Sequence, residues 1–372
     1  MFRIAKLPGV LAVLATLAVA GSAPAAVNCG DIIAGEEVMT ADLVCPAHDP
    51  AFTINGGSVD MAGHRLSGCL GDGILLTGSG AELENGTVDG CSIGIRLEGA
   101  GGHKLKGVVA SDSLVDGIQA TSSGNHLHDT TAVSNTFLGY DLTGNDNKLA
   151  GNTAANNGGD GFLINGTGNN LSTNFATSNT GAGFALTGDG NKLARNTAES
   201  NGGINISISG NSNKLNQNIA IRSTFEPGIV IAGDENKLSK NIVSNNGNGN
   251  DSGIEITGNE NRSSNDTSHF NTEHGFEIAG NENYVNKGRA IDNAGSGIDV
   301  MSGMDGVIKG CRVEKNTFAG IRLRSGVVTT SVSKNLALEN ASFDLDDDNA
   351  DCGTNVWKDN VFTTADPPAC AQ

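Results

Sequence analysis

The chain has 372 residues, a formal net charge of −18, 53 Gly, 7 Pro and only 4% aromatic residues. So acidic a balance argues against nucleic acid and anionic membrane surfaces as partners, and it makes direct contact with a polyanionic polysaccharide awkward unless a cation intervenes. Helix formers never cluster into an amphipathic stretch after the N-terminus, which excludes an all-α architecture.

Residues 1–25 read as a secretory signal peptide. Arg3 and Lys6 supply the positive start, 10–20 an apolar core shorter than a membrane span, and Ala23-Pro24-Ala25 a small-residue cleavage site. The mature chain is therefore expected to be secreted or periplasmic, with no membrane span. Seven cysteines in an exported chain point to disulfides. The expected pairs are Cys29–Cys45 and Cys352–Cys370, each within a terminal segment, and Cys69–Cys91, one repeat apart. Cys311 is left as a free thiol buried in a turn stack.

Segment 28–50 carries no visible repeat and is expected to cap the first coil. From 51 onward a repeat takes over. It is clearest over 139–210, where Gly139-Tyr-Asp-Leu-Thr-Gly144, Gly161-Phe-Leu-Ile-Asn-Gly166, Gly183-Phe-Ala-Leu-Thr-Gly188 and Asn205-Ile-Ser-Ile-Ser-Gly210 start 22 residues apart. Two further phrases share the period. One is Asn147-Lys-Leu, Asn169-Asn-Leu, Asn191-Lys-Leu and Asn213-Lys-Leu; the other is Asn152-Thr-Ala, Asn174-Phe-Ala, Asn196-Thr-Ala and Asn218-Ile-Ala. A fixed period in the twenties means a solenoid. Alternation of apolar and polar residues means strands. Three short strands per turn, separated by Asn and Gly, predict one coil of a parallel β-helix.

Counting by leading residue from Ala51 to Ser342 gives fourteen coils spaced 21 to 25 residues apart. At one strand spacing per coil the rod is about 65 Å long. The third residue after each leader, from Ile54 to Leu345, forms an apolar column with no charged member, as a stacked core requires. The Asn column from Asn152 to Asn241 is expected to be a ladder of side-chain amides. The predicted fold is all-β, a single right-handed parallel β-helix over 51–345, with 346–372 as the C-terminal cap. A leucine-rich repeat is rejected because no coil has a helical half.

The opening Cys29-Gly30, the phrase Ala41-Asp-Leu-Val-Cys45-Pro46 and the phrase Val59-Asp-Met-Ala-Gly-His64-Arg-Leu-Ser-Gly68 resemble right-handed parallel β-helix proteins of the pectin-lyase-like superfamily, including the NosD-like group. The resemblance covers nearly the whole mature chain. It implies the fold and leaves the activity open. Copper handling, which the NosD likeness would suggest, wants clusters of Met and His, but Met39, Met61, Met301 and Met304 are scattered. The Asp-Pro-His-Asp phrase of alginate C5-epimerases and the paired Asp and Arg-x-Lys of polygalacturonases are missing.

Function in a solenoid is left to the outward columns. One holds Lys104, His126, Lys148, Lys192, Lys214, Lys237 and Arg262, with Asn170 interrupting. Asp146, Glu235 and Glu260 stand two residues before members of it, so it reads as a solvated face with cross-strand ion pairs. A second column holds Glu255, Glu277 and Asp299 on consecutive coils, continued by Arg322 and Asp344, with Arg324 two residues beyond Arg322. Three stacked carboxylates repel, and a cation such as Ca²⁺, or a proton kept on one of them, would relieve this. An Arg beside a Ca²⁺-carboxylate group is similar to pectate lyases, which implies Arg322 as a base, with Arg324, Tyr284 and His274 contacting substrate. Two functions follow. One is an exported, non-catalytic rod that binds a polysaccharide or cell-surface glycan. The other is a metal-assisted lyase acting on a uronate polysaccharide. Scarce aromatics (one Trp, two Tyr) favour the first.

Overall fold

The computed structural model describes residues 26–249 and 251–367. The expected signal peptide over 1–25 and Cys370, and with it the expected Cys352–Cys370 bridge, lie outside the described residues. The chain winds as a parallel β-solenoid, and its one helical element among the described residues is a 3-10 turn at Ala350–Cys352. One sheet stacks sixteen strands, one per coil, from Ile32–Ile33 to Ala365–Asp366. The other two strands of each coil form two further ladders. These merge where Glu82–Asp89 and Lys104–Ser111 run through the bend without a break.

The expected column from Ile54 to Leu345 is buried at every position. Beside it, Tyr140, Phe162 and Phe184 stack face to face with centroids 4.4 and 4.7 Å apart. The Asn ladder is present. Asn174 receives both the N–H and the side-chain amide of Asn152 on its Oδ1, at 2.9 and 3.0 Å, and the pattern continues through Asn196, Asn218 and Asn241. Two more ladders, unforeseen from the sequence, occupy the other turns. One runs from Asn125 through Asn147 and Asn169 to Asn283; the other includes Asn135, Asn157, Asn179 and Asn201. Each rung satisfies a backbone N–H that a buried turn would otherwise orphan, while the side-chain amides of Asn169 and Asn213 find no acceptor. Cys29–Cys45 and Cys69–Cys91 are disulfide-bonded, and Cys311 is a free, buried thiol.

Two expectations change. Segment 28–50 does not stand apart from the solenoid. Its strands Ile32–Ile33, Glu36–Val38 and Leu43–Val44 pair in parallel with those of the next coil, so it is itself a coil, hidden in the sequence because it lacks the Gly-led and Asn phrases that mark the others. The last coil is also shifted. Leu345 pairs with Ile321 and Asp346 with Arg322, so Asp344, not Ser342, leads that coil. The turn between Leu323 and Ser331 is longer than its counterpart between Val300 and Val307. Asp344 therefore leaves the acidic column. Its Oδ1 accepts from Asn340 and its Oδ2 from Thr363 and Thr364, closing the rod's end. The inward place falls to Asp347, which accepts a 2.9 Å bond from the Trp357 indole N–H.

Candidate functional site

The acidic column stands on the sixteen-stranded sheet in unbroken register: Glu255 with Glu277, Glu277 with Asp299, Asp299 with Arg322, and Arg322 with Asp346. Its members do not behave alike. The Asp299 side chain is fully buried. Arg324 grips it with two bonds, Nε to Oδ1 at 3.0 Å and Nη2 to Oδ2 at 3.1 Å. Both oxygens are thus engaged, and Asp299 is withdrawn from any cation site shared with Glu255 and Glu277.

His274 stands behind the same carboxylate. The Ser296 N–H donates to its Nδ1 at 2.9 Å. A backbone N–H can only donate, so Nδ1 is the bare nitrogen and the proton sits on Nε2. That Nε2 lies 3.3 Å from Asp299 Oδ2 and 3.5 Å from Glu273 Oε1, aligned for a good hydrogen bond with neither. His274 is therefore a buried side chain that accepts from the backbone and leaves its Nε2–H without a well-aligned acceptor, not the exposed substrate contact expected of it.

Glu255 and Glu277 face one another at the open end of the column. Burial, then the Glu277 carboxylate, then Asp251 and Glu273 push the Glu255 carboxyl up to about 7. Glu277 accepts a 2.9 Å bond from the Ser252 hydroxyl. At the other end Arg322 lies between Asp346 (Nε to Oδ2, 3.4 Å) and Asp348 (Nη2 to Oδ2, 2.7 Å), with its guanidinium 5.2 Å from the Phe318 ring centre. Burial and Asp348 push Asp346 up to about 6 in spite of Arg322. The guanidinium is committed to two carboxylates and a ring face, so the geometry gives Arg322 no role as a base.

Tyr284 is not near the acidic column in the sheet order. It belongs to another ladder, in register with Arg262 at the end of the basic column. His269 lies on the third ladder, its ring edge-on to Phe270. Sequence reasoning missed Phe318, Asp346, Asp348 and Glu273. An exposed Phe at a turn, one coil from the last carboxylate, was the available signal for Phe318.

The basic column is in register throughout, from Lys104 and His126 through Lys148, Asn170, Lys192, Lys214 and Lys237 to Arg262. The expected ion pairs are largely missing. Lys104 meets Glu82, but among the described residues Lys148, Lys192, Lys214, Lys237 and Arg262 have no salt-bridge partner.

The family model described as periplasmic copper-binding protein (NosD) matches residues 52–225, and that of the right handed beta helix region matches 217–366. No curated protein matches the chain. Among solved structures, the periplasmic alginate epimerase AlgG is 10% identical with a TM-score of 0.44, covering 84% of each chain. The A-module of Azotobacter vinelandii mannuronan C-5 epimerase AlgE6 is 14% identical with a TM-score of 0.41, over 91% of this chain and 90% of the other. The catalytic domain of a GH87 alpha-1,3-glucanase is 12% identical with a TM-score of 0.45, over 92% and 62%. At these values none of them assigns chemistry to this chain.

The residues present do not fit copper. Copper takes thioether, thiolate or imidazole ligands in a cluster. Met39 and Met61 are buried in the core, and burial pushes the Cys311 thiol up to about 12. Among the described residues, Glu273, His274 and Glu277 bring three ligand atoms within 4.8 Å of one another, but the nitrogen His274 turns toward them carries the proton.

Proposed function

We propose that this right-handed parallel β-helix is an exported, non-catalytic rod that binds a glycan along the outward strip from Glu255 to Asp346. Five strands in register span about 19 Å, room for a short oligosaccharide. The arrangement at Phe318 and Arg322 carries the reading. An exposed ring offers an apolar face to a sugar's C–H groups. The guanidinium beside it, with the Asp346 and Asp348 carboxylates, offers charged donors and acceptors to hydroxyls. Export is supported by the two disulfides and by the periplasmic family matched over 52–225; among the described residues no helix is long and apolar enough to cross a membrane. Titration calorimetry against a panel of neutral and acidic oligosaccharides tests the reading. Phe318→Ala and Asp348→Asn should each weaken a bound sugar about tenfold, a loss of about 1.4 kcal/mol. Binding untouched by both changes would move the site elsewhere.

One observation favours a second reading. A carboxyl held near 7 in register with a second carboxyl is the kind of pair that acid-base cleavage of a polysaccharide uses. Under it Glu255 and Glu277, rather than Arg322, would move protons on a uronate-containing polymer. Incubation with polyuronates, followed by absorbance of an unsaturated product, separates this reading from simple binding.

A further inference from the structure

The basic column has no task in the fold. Each of its cationic side chains is exposed, and only Leu, Ser or Val between them turns inward. Six of the chain's 23 Lys and Arg stand in this one register. Like charges directly opposite one another on a sheet are destabilising. The effect is visible at His126, whose pKa is lowered by burial and then by Lys148 and Lys104 on either side. An acidic chain had carboxylates to spare for neutralising this strip, yet Asp146, Glu235 and Glu260 sit on left-handed turns and pair with none of the neighbouring cations. On the coils of Lys192 and Lys214 the corresponding turn residues are Gly190 and Ser212.

We infer that this strip is the docking surface for an extended polyanionic polysaccharide, lying along the solenoid axis with one acidic sugar per coil. The column from Lys104 to Arg262 crosses seven coil steps, about 34 Å at about 4.8 Å per strand, with Lys or Arg at six of its eight positions and without a break from Lys192 to Arg262. A chain bearing one carboxylate per sugar presents its charges at a pitch of the same order, and such a partner would replace the missing counter-charges. The second outward position of the same strands is small and polar at Ser172, Asn216, Ser239 and Ser264, suited to sugar hydroxyls. Those positions offer no aromatic platform between Lys148 and Arg262, which single-stranded nucleic acid would want. The inference does not rest on the acidic strip, which faces outward from a different sheet. It also revises the expectation drawn from net charge: the −18 is an average, and this face departs from it.

The test is binding of the full mature chain to immobilised polyguluronate across a salt series, without divalent cations. The wild type should bind at low salt and release as salt rises. Lys192→Gln/Lys214→Gln/Lys237→Gln should weaken binding at least about tenfold and flatten the salt dependence, while Lys315→Gln/Lys334→Gln, the same kind of charge change at exposed lysines off the strip, should bind as the wild type does. Lys214→Glu, a single exposed change, should weaken binding in the same direction and guards against a folding defect in the triple variant. The inference is overturned if the wild type does not bind, if the triple variant binds unchanged, if a neutral glucan binds equally well, or if single-stranded DNA binds more tightly than the uronan. Equal loss in the Lys315/Lys334 variant would mean diffuse charge attraction rather than a site, and would overturn it as well.

Discussion

Arg324 holds Asp299 by a two-pronged bond, 3.0 and 3.1 Å, although the two residues belong to different coils and the carboxylate is fully buried. An ion so placed is costly to leave alone. Arg324→Met strands the carboxylate and is expected to destabilise the fold by about 3 kcal/mol, read as a lower midpoint in urea. Asp299→Asn/Arg324→Met removes the stranded charge at nearly the same volume, so it should cost less than Arg324→Met by itself. Strict additivity of the two changes would show that the pair is not coupled.

Glu255 sets a pH dependence whose sign follows from its raised pKa. The folded state holds this proton up to about 7, the unfolded chain only to about 4.5. Between those values the folded state binds more protons, so stability falls as pH rises through the window and levels off above it. Asp266 and Asp346, each raised to about 6, act in the same direction from a lower starting point. The melting temperature of the wild type should therefore decline from about pH 4.5 to about pH 7, and Glu255→Gln should remove part of that decline. An unchanged slope in the variant would place the proton elsewhere.

The same pair decides between a proton and a cation. With Asp299 engaged by Arg324, two facing carboxylates remain, and Ca²⁺ takes six to eight oxygens. A proton on Glu255 is sufficient to relieve the repulsion. Calorimetric melting is expected to be the same with Ca²⁺ and with chelator, and Glu277→Gln should melt at the same or a slightly higher temperature in both. A rise with Ca²⁺ in the wild type that disappears in Glu277→Gln would instead establish a cation there.

The Asn ladders should be stiff to substitution. Asn196 accepts from the N–H and amide of Asn174 and donates to Leu171 and Asn218. Asn196→Ala orphans several buried groups at once, and a loss of about 3 kcal/mol is expected. Asn216→Ala, on an exposed outward position, serves as the control and should stay within about 0.5 kcal/mol. Equal effects would mean that the ladder is not what holds the turns.

The sequence by itself determined the coil, its period, the inward columns, the Asn152-to-Asn241 ladder and two of the disulfides. In-register parallel strands place every residue over its counterpart one period away, so repetition along the chain is already adjacency in space. The same logic aligned Glu255, Glu277, Asp299 and Arg322 correctly. It failed in the first coil, which keeps the spacing but lacks the repeated Gly-led and Asn phrases, and in the longer turn after Leu323, which moved Asp344 out of the column and put Asp346 in. Only the tertiary structure decided what each charged residue touches. His274 comes from a turn, Asp299 from a strand, and Arg324 from just past the strand of the next coil, and no spacing rule joins such positions. Nor could periodicity tell a carboxylate clamped by a guanidinium from one left open, or a lysine ladder with partners from one without. Column membership follows from register alone, whereas burial, tautomer and pairing depend on side chains that meet across turns.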